Sequence, residues 1–90
     1  GRKTASERVA SFFVMLADRV GDQSDDTAVV EVPMSRSDIA DYLGLTMETV
    51  SRQISQLKRA GLLAAQGQHV LEVRDLPTLR RRAEGSDERA

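Results

Sequence analysis

Ninety residues, 40% of them hydrophobic, are enough for one small domain with one core. The net charge of −1 argues against a protein that coats nucleic acid by bulk positive charge. Cysteine is absent, so disulfides and thiolate metal sites are excluded, and the single histidine, His69, has no carboxylates spaced to complete a zinc site.

No apolar run approaches the roughly 20 residues that span a bilayer. At the start of the chain Arg2 and Lys3 are followed by a polar, periodic stretch, where a signal peptide would have an apolar one. The expected setting is soluble and cytoplasmic, with no membrane partner, no metal and no cofactor.

In chain order, "ASERVASFFVMLADRV" (residues 5–20) places Val9, Phe12, Phe13, Leu16 and Val20 at three- and four-residue spacings, which predicts an amphipathic helix. "GDQSDD" breaks it with glycine and acidic turn formers, and the β-branched "TAVVEV" reads as a short strand ending at Pro33. Ser35 then stands as an N-cap with Asp38 three residues on, a capping box with Asp in place of the usual Glu. Ile39, Ala40 and Leu43 make the buried stripe of this second helix, and Gly44 falls where a helix ends in the left-handed conformation. Only Leu45 and Thr46 separate it from a third helix, capped by Thr46, with Met47, Val50, Ile54 and Leu57 in its stripe and Gly61 at its end.

Beyond the glycine, "LLAAQGQHVLEV" gives two short apolar runs about Gly67-Gln68, a hairpin signal. Asp75 as cap and Pro77 in the first turn predict a short last helix, followed by a polar tail over 84–90. The order is helix, strand, helix, tight turn, helix, two-stranded hairpin, short helix. It describes an α+β, mainly α, winged helix-turn-helix with a small β-hairpin wing. The expected organisation is one domain over 1–83, with the helix-turn-helix at 35–60 and the wing at 63–73.

On the third helix, at about 100° per residue, Val50, Ile54 and Leu57 point one way. Glu48, Ser51, Arg52, Ser55 and Arg59 point roughly the other. A solvated face is the default for such residues. These, however, fall in the first turns of the second helix of a helix-turn-helix, where that helix meets base edges. Their chemistry fits a guanine–cytosine pair: Arg52 can give two hydrogen bonds to guanine O6 and N7, and Glu48 can accept from cytosine N4. Double-stranded DNA is therefore the expected partner.

The segment "RSDIADYLGLTMETVSRQISQLKRAGLL", with its E-x-x-S-R at Glu48, Ser51 and Arg52, resembles the DNA-binding domain of the CRP/FNR family of bacterial transcription regulators, the FNR/FixK branch in particular. "RKTASERVASFF" is similar to the family's helix that follows its dimerisation helix. The resemblance implies a homodimer, in the full-length protein, that recognises an inverted repeat related to TTGA–N6–TCAA. It implies that Glu48 and Arg52 read the G·C pair, that Ser51 lies against the neighbouring thymine, and that Arg36, Thr46, Thr49 and Gly67 hold phosphates. Met47 and Gln68 depart from positions that carry arginine and lysine in other branches, so those contacts are not carried over. The family's sensor barrel and long dimer helix are missing from these residues, so the chain by itself is expected to be monomeric or weakly dimeric.

The acidic loop Asp22–Asp26 reads as a surface turn, and by the resemblance as a contact for RNA polymerase. His69 and the run Arg80, Arg81 and Arg82 read as solvated, with nonspecific phosphate contact as the alternative. The competing function is a winged-helix protein–protein interaction module without DNA binding, which would be expected to expose apolar side chains on the face of the third helix. An enzyme is not expected: there is no cysteine nucleophile, no histidine beside a serine–carboxylate set and no phosphate-binding glycine loop.

Overall fold

The computed structural model describes residues 3–85. Eight elements follow one another: α1 (Ala5–Val20), β1 (Asp22–Ser24), β2 (Thr27–Glu31), α2 (Arg36–Leu43), α3 (Met47–Arg59), β3 (Leu63–Gly67), β4 (Val70–Val73) and α4 (Leu76–Ala83). The fold class is the expected winged helix-turn-helix. Residues 86–90 of the predicted polar tail lie outside the described residues.

Thr4 starts α1. Its hydroxyl accepts the Glu7 N–H at 3.1 Å while the Glu7 carboxylate accepts the Thr4 N–H at 2.9 Å, so two orphan donors are satisfied reciprocally. The helix buries Val9, Ala10, Phe12, Phe13, Leu16 and Ala17, and the two phenylalanine rings meet edge to face at 5.3 Å. Val20, expected in this stripe, is instead 65% exposed. The last turn overhangs the core, and Asp18 and Arg19 beside it are exposed as well.

The sheet is larger than the two-stranded hairpin expected from the sequence. Four antiparallel strands lie in the order β1-β2-β4-β3, so β2 pairs along β4, with Ala28 opposite Val73 and Glu31 opposite Val70. Part of "GDQSDD", expected to be turn throughout, forms β1. It was hidden because all three of its residues are polar and exposed, leaving no alternation to detect. Its pairing rests on the backbone, closed by a turn in which Asp25 takes a φ of 55°, a conformation that Asp tolerates better than most residues. The Gln23 amide reinforces the corner by donating to the Ala17 carbonyl at 2.9 Å.

Asp75 caps α4 by accepting the Thr78 N–H and hydroxyl at 3.1 and 2.8 Å. Leu76, Leu79 and Ala83 are buried, and α4 lies against α1. Arg80, expected to be solvated, gives two hydrogen bonds to the Asp18 carboxylate at 2.9 and 2.7 Å. The Arg80 guanidinium holds the Asp18 carboxyl below its ordinary pKa. Lys3 ties down the far end of the same helix by donating to the Ala83 carbonyl at 2.8 Å.

Candidate nucleic-acid interface

The helix-turn-helix is assembled from local signals. Ser35 and Asp38 form the capping box, at 3.0 and 3.4 Å. At the other end of α2, Gly44 takes φ 70°, ψ 35°, and the Leu45 N–H bonds back to the Ala40 carbonyl at 2.9 Å. Such a left-handed exit strains any residue with a Cβ. Ile39 and Ala40 of α2 and Val50, Ile54 and Leu57 of α3 are buried. The small Ala40 side chain lets the helices approach closely.

One supporting residue was not anticipated. The Arg8 guanidinium of α1 donates to the Leu43 carbonyl at 3.0 Å, satisfying a helix-end acceptor beside the turn.

Thr46 caps α3 through the Thr49 N–H at 3.1 Å, and the two hydroxyls share a further hydrogen bond of 2.8 Å. Along its outer side, Glu48 and Arg52 form an ion pair of 3.0 Å one helical turn apart, their side chains 82% and 54% exposed. Such an exposed pair contributes little to stability. It does hold the planar guanidinium over the first turns of α3, with N–H donors still free to recognise something else. Ser51 lies beside it, half-buried. Ser55 and Arg59 continue the exposed face. Met47, expected in the buried stripe, is 56% exposed. It stands in the first helical position, directly after the cap, where α3 has not yet reached the core; burial begins at Val50.

The wing departs from the anticipated turn. Gln68 and His69 are its central residues, and the positive φ of 66° falls on His69. A bulge between Ala65 and Gly67 accommodates the extra residue. The His69 carbonyl accepts the Val32 N–H at 2.7 Å, joining the wing tip to the end of β2.

Arg36, on the first turn of α2, faces the wing. Together with Lys58, Gly67, Gln68 and His69 it lines a groove of about 330 Å³ whose lining includes no acidic residue. Of the residues expected to hold phosphates, Arg36 and Gly67 therefore share one groove, whereas Thr46 and Thr49 form a separate cluster at the start of α3 and do not line it. Among the described residues there is no group of three or more His, Cys, Asp or Glu able to hold a metal ion, and no helix is long and apolar enough to cross a membrane.

Two adjacent helices joined by a left-handed glycine, a polar outer face on the second and a β-hairpin returning beside them define a winged helix-turn-helix DNA-binding domain. Residues 7–82 match the Crp-like helix-turn-helix domain. The chain belongs to this CRP/FNR family and is the DNA-binding domain of one of its transcription regulators.

It is 43% identical to the transcriptional activator protein FnrL of Cereibacter sphaeroides, over 88% of this chain and 34% of that protein. It is 46% identical to the nitrogen fixation regulation protein FixK of Azorhizobium caulinodans, over 90% of this chain and 33% of that protein. Among solved structures it resembles FixK2 from Bradyrhizobium japonicum, with a TM-score of 0.79 and 42% identity across 100% of this chain and 41% of that one. The chain thus spans about a third of the length of the curated relatives it matches.

Proposed function

We propose that this domain reads DNA sequence through the first turns of α3, at half-sites of inverted repeats related to TTGA–N6–TCAA. Arg52 donates two hydrogen bonds to guanine O6 and N7, Glu48 accepts from the N4 amine of the paired cytosine, and Ser51 packs beside the neighbouring thymine. Arg36, Thr46, Thr49 and Gly67 hold backbone phosphates, which fixes the register but carries no sequence information.

The observation that supports this most is the exposed Glu48–Arg52 pair. A carboxylate on a DNA-facing helix repels phosphate, so its presence makes sense where it accepts from a base or orients an arginine. An interaction module is disfavoured by the same face, where Met47 is the one large apolar side chain that α3 exposes. A further apolar surface, about Tyr42 and Met15, lies on α1 and α2.

In the full-length protein, two copies acting as a homodimer would engage half-sites about one helical turn apart. Activation of transcription, the role carried in FnrL's name, would use the exposed acidic segment Asp22–Asp26 as a contact for RNA polymerase. The chain alone would bind one half-site as a monomer, without the gain of linked binding. The test is an anisotropy titration with a TTGA–N6–TCAA duplex against a scrambled duplex of equal length at fixed salt. Tighter binding to the former is expected; equal affinities would refute sequence reading.

A further inference from the structure

The groove between the helix pair and the wing contains a pair of cations that base reading does not use. Arg36 enters from the first turn of α2 and Lys58 from the last turn of α3, with the wing residues Gly67, Gln68 and His69 alongside. Several other basic residues are engaged internally, and Arg19, Arg59 and Arg82 lie outside this groove. Lys3 and Arg8 donate to helix-end carbonyls, Arg52 and Arg80 to carboxylates, and Arg74 lies 3.9 Å from Glu72. Arg36 and Lys58 have neither a hydrogen bond nor an ion pair from their side chains among the described residues. No acidic residue lines the groove to neutralise them.

We propose that Lys58 is a DNA-backbone-binding residue, which acts with Arg36 to hold the phosphates that pass between α2 and the wing. This rests on the DNA-binding reading above and adds to it a contact far from the base-reading turn. The chemistry is complementary: a guanidinium fork on one wall and a compact ammonium on another suit an anion with oxygens on several sides. The wing itself offers Gln68, which can donate a hydrogen bond but brings no charge, so Lys58 supplies the charge from the last turn of α3. The plain structural role for a lysine in the last turn of a helix is to complement the helix dipole. Arg59, its neighbour, can fill that role equally and does not line the groove.

This difference makes the test. The 90-residue chain and three variants, Lys58→Ala, Arg59→Ala and Lys58→Ala with Gln68→Lys, are titrated by fluorescence anisotropy. The duplexes are one TTGA half-site and one scrambled sequence, over a series of salt concentrations, with thermal melting to confirm folding. Lys58→Ala should weaken both duplexes by the same factor and reduce the slope of log K against log salt by about 0.9, the value for one lost phosphate contact. Arg59→Ala should leave the slope unchanged, and Gln68→Lys should restore it to the Lys58→Ala chain. An unchanged slope for Lys58→Ala, an equal loss for Arg59→Ala, or no recovery with Gln68→Lys would each overturn the proposal. If the parent chain fails to distinguish the two duplexes, the base-reading account falls, while the slope comparison still decides the role of Lys58.

Discussion

The two ends of this molecule treat charge in opposite ways. Where α4 packs on α1, three polar groups are satisfied from within, Arg80 by Asp18, the Ala83 carbonyl by Lys3 and the Thr78 N–H by Asp75, while the Arg82 Nε is buried without a hydrogen-bond partner. On the side formed by α2, α3 and the wing, Arg36 and Lys58 face a groove without a counter-charge, and the Glu48–Arg52 pair stands largely in solvent. The contrast separates charge that fastens the fold from charge that a partner must complete. It predicts that replacing the charged residues at the first end changes stability and leaves recognition intact, while replacing Arg36, Glu48, Arg52 or Lys58 at the second does the reverse.

The largest expected effect comes from the core that both ends share. Phe13 is fully buried, and Phe13→Ala should cost about 3–5 kcal/mol through lost burial and the cavity left behind. Urea unfolding would read this as a lowered midpoint. DNA binding should fall only in proportion to the unfolded fraction, and a change in base preference would blur the division between the two ends.

Next is the cap that positions α2. Ser35→Ala removes the acceptor of the Asp38 N–H and should cost roughly 0.5–2 kcal/mol. Thermal melting should show the loss, with base preference unchanged because Ser35 is not on the reading helix. The smallest effect belongs to the Asp18–Arg80 pair. Its exposure limits the contribution to under about 1 kcal/mol. Because the folded Asp18 pKa lies below its unfolded value, the contribution is present above about pH 4 and is lost as pH falls through the lowered folded value. Asp18→Asn should therefore lower the melting temperature slightly at neutral pH and not at all at strongly acid pH. Equal loss at both would assign the effect to packing.

What could be read from the sequence was what is chemically local. The caps at Ser35, Thr46 and Asp75 each involve a side chain and a backbone N–H three residues away, and Gly44 announces its own left-handed turn. The outward set on α3 followed from helical spacing, and Glu48 and Arg52 do meet. Spacing cannot say where along a helix the core begins or ends, so Met47 and Val20 fell on the wrong side of that line. β1 was illegible because its pairing lies in the backbone. Asp18–Arg80 and Arg8–Leu43 join positions 62 and 35 apart, which no local pattern encodes. The Arg36–Lys58 groove exists only once the wing has returned beside the helices.

The central claim is that Glu48 and Arg52 form a base-reading pair. The most direct measurement determines the affinities of the parent, Arg52→Ala and Glu48→Ala chains for a TTGA half-site and for the same duplex with its G·C pair changed to A·T, at one salt concentration. Arg52→Ala should lose about 1–3 kcal/mol on the first duplex and little on the second, flattening preference at that pair. Glu48→Ala should hold or tighten binding to the changed duplex while its preference for G·C falls, since a repulsive carboxylate and a base acceptor are removed together. Equal shifts on both duplexes for each variant would contradict the account and leave a charged helix face that senses only phosphate.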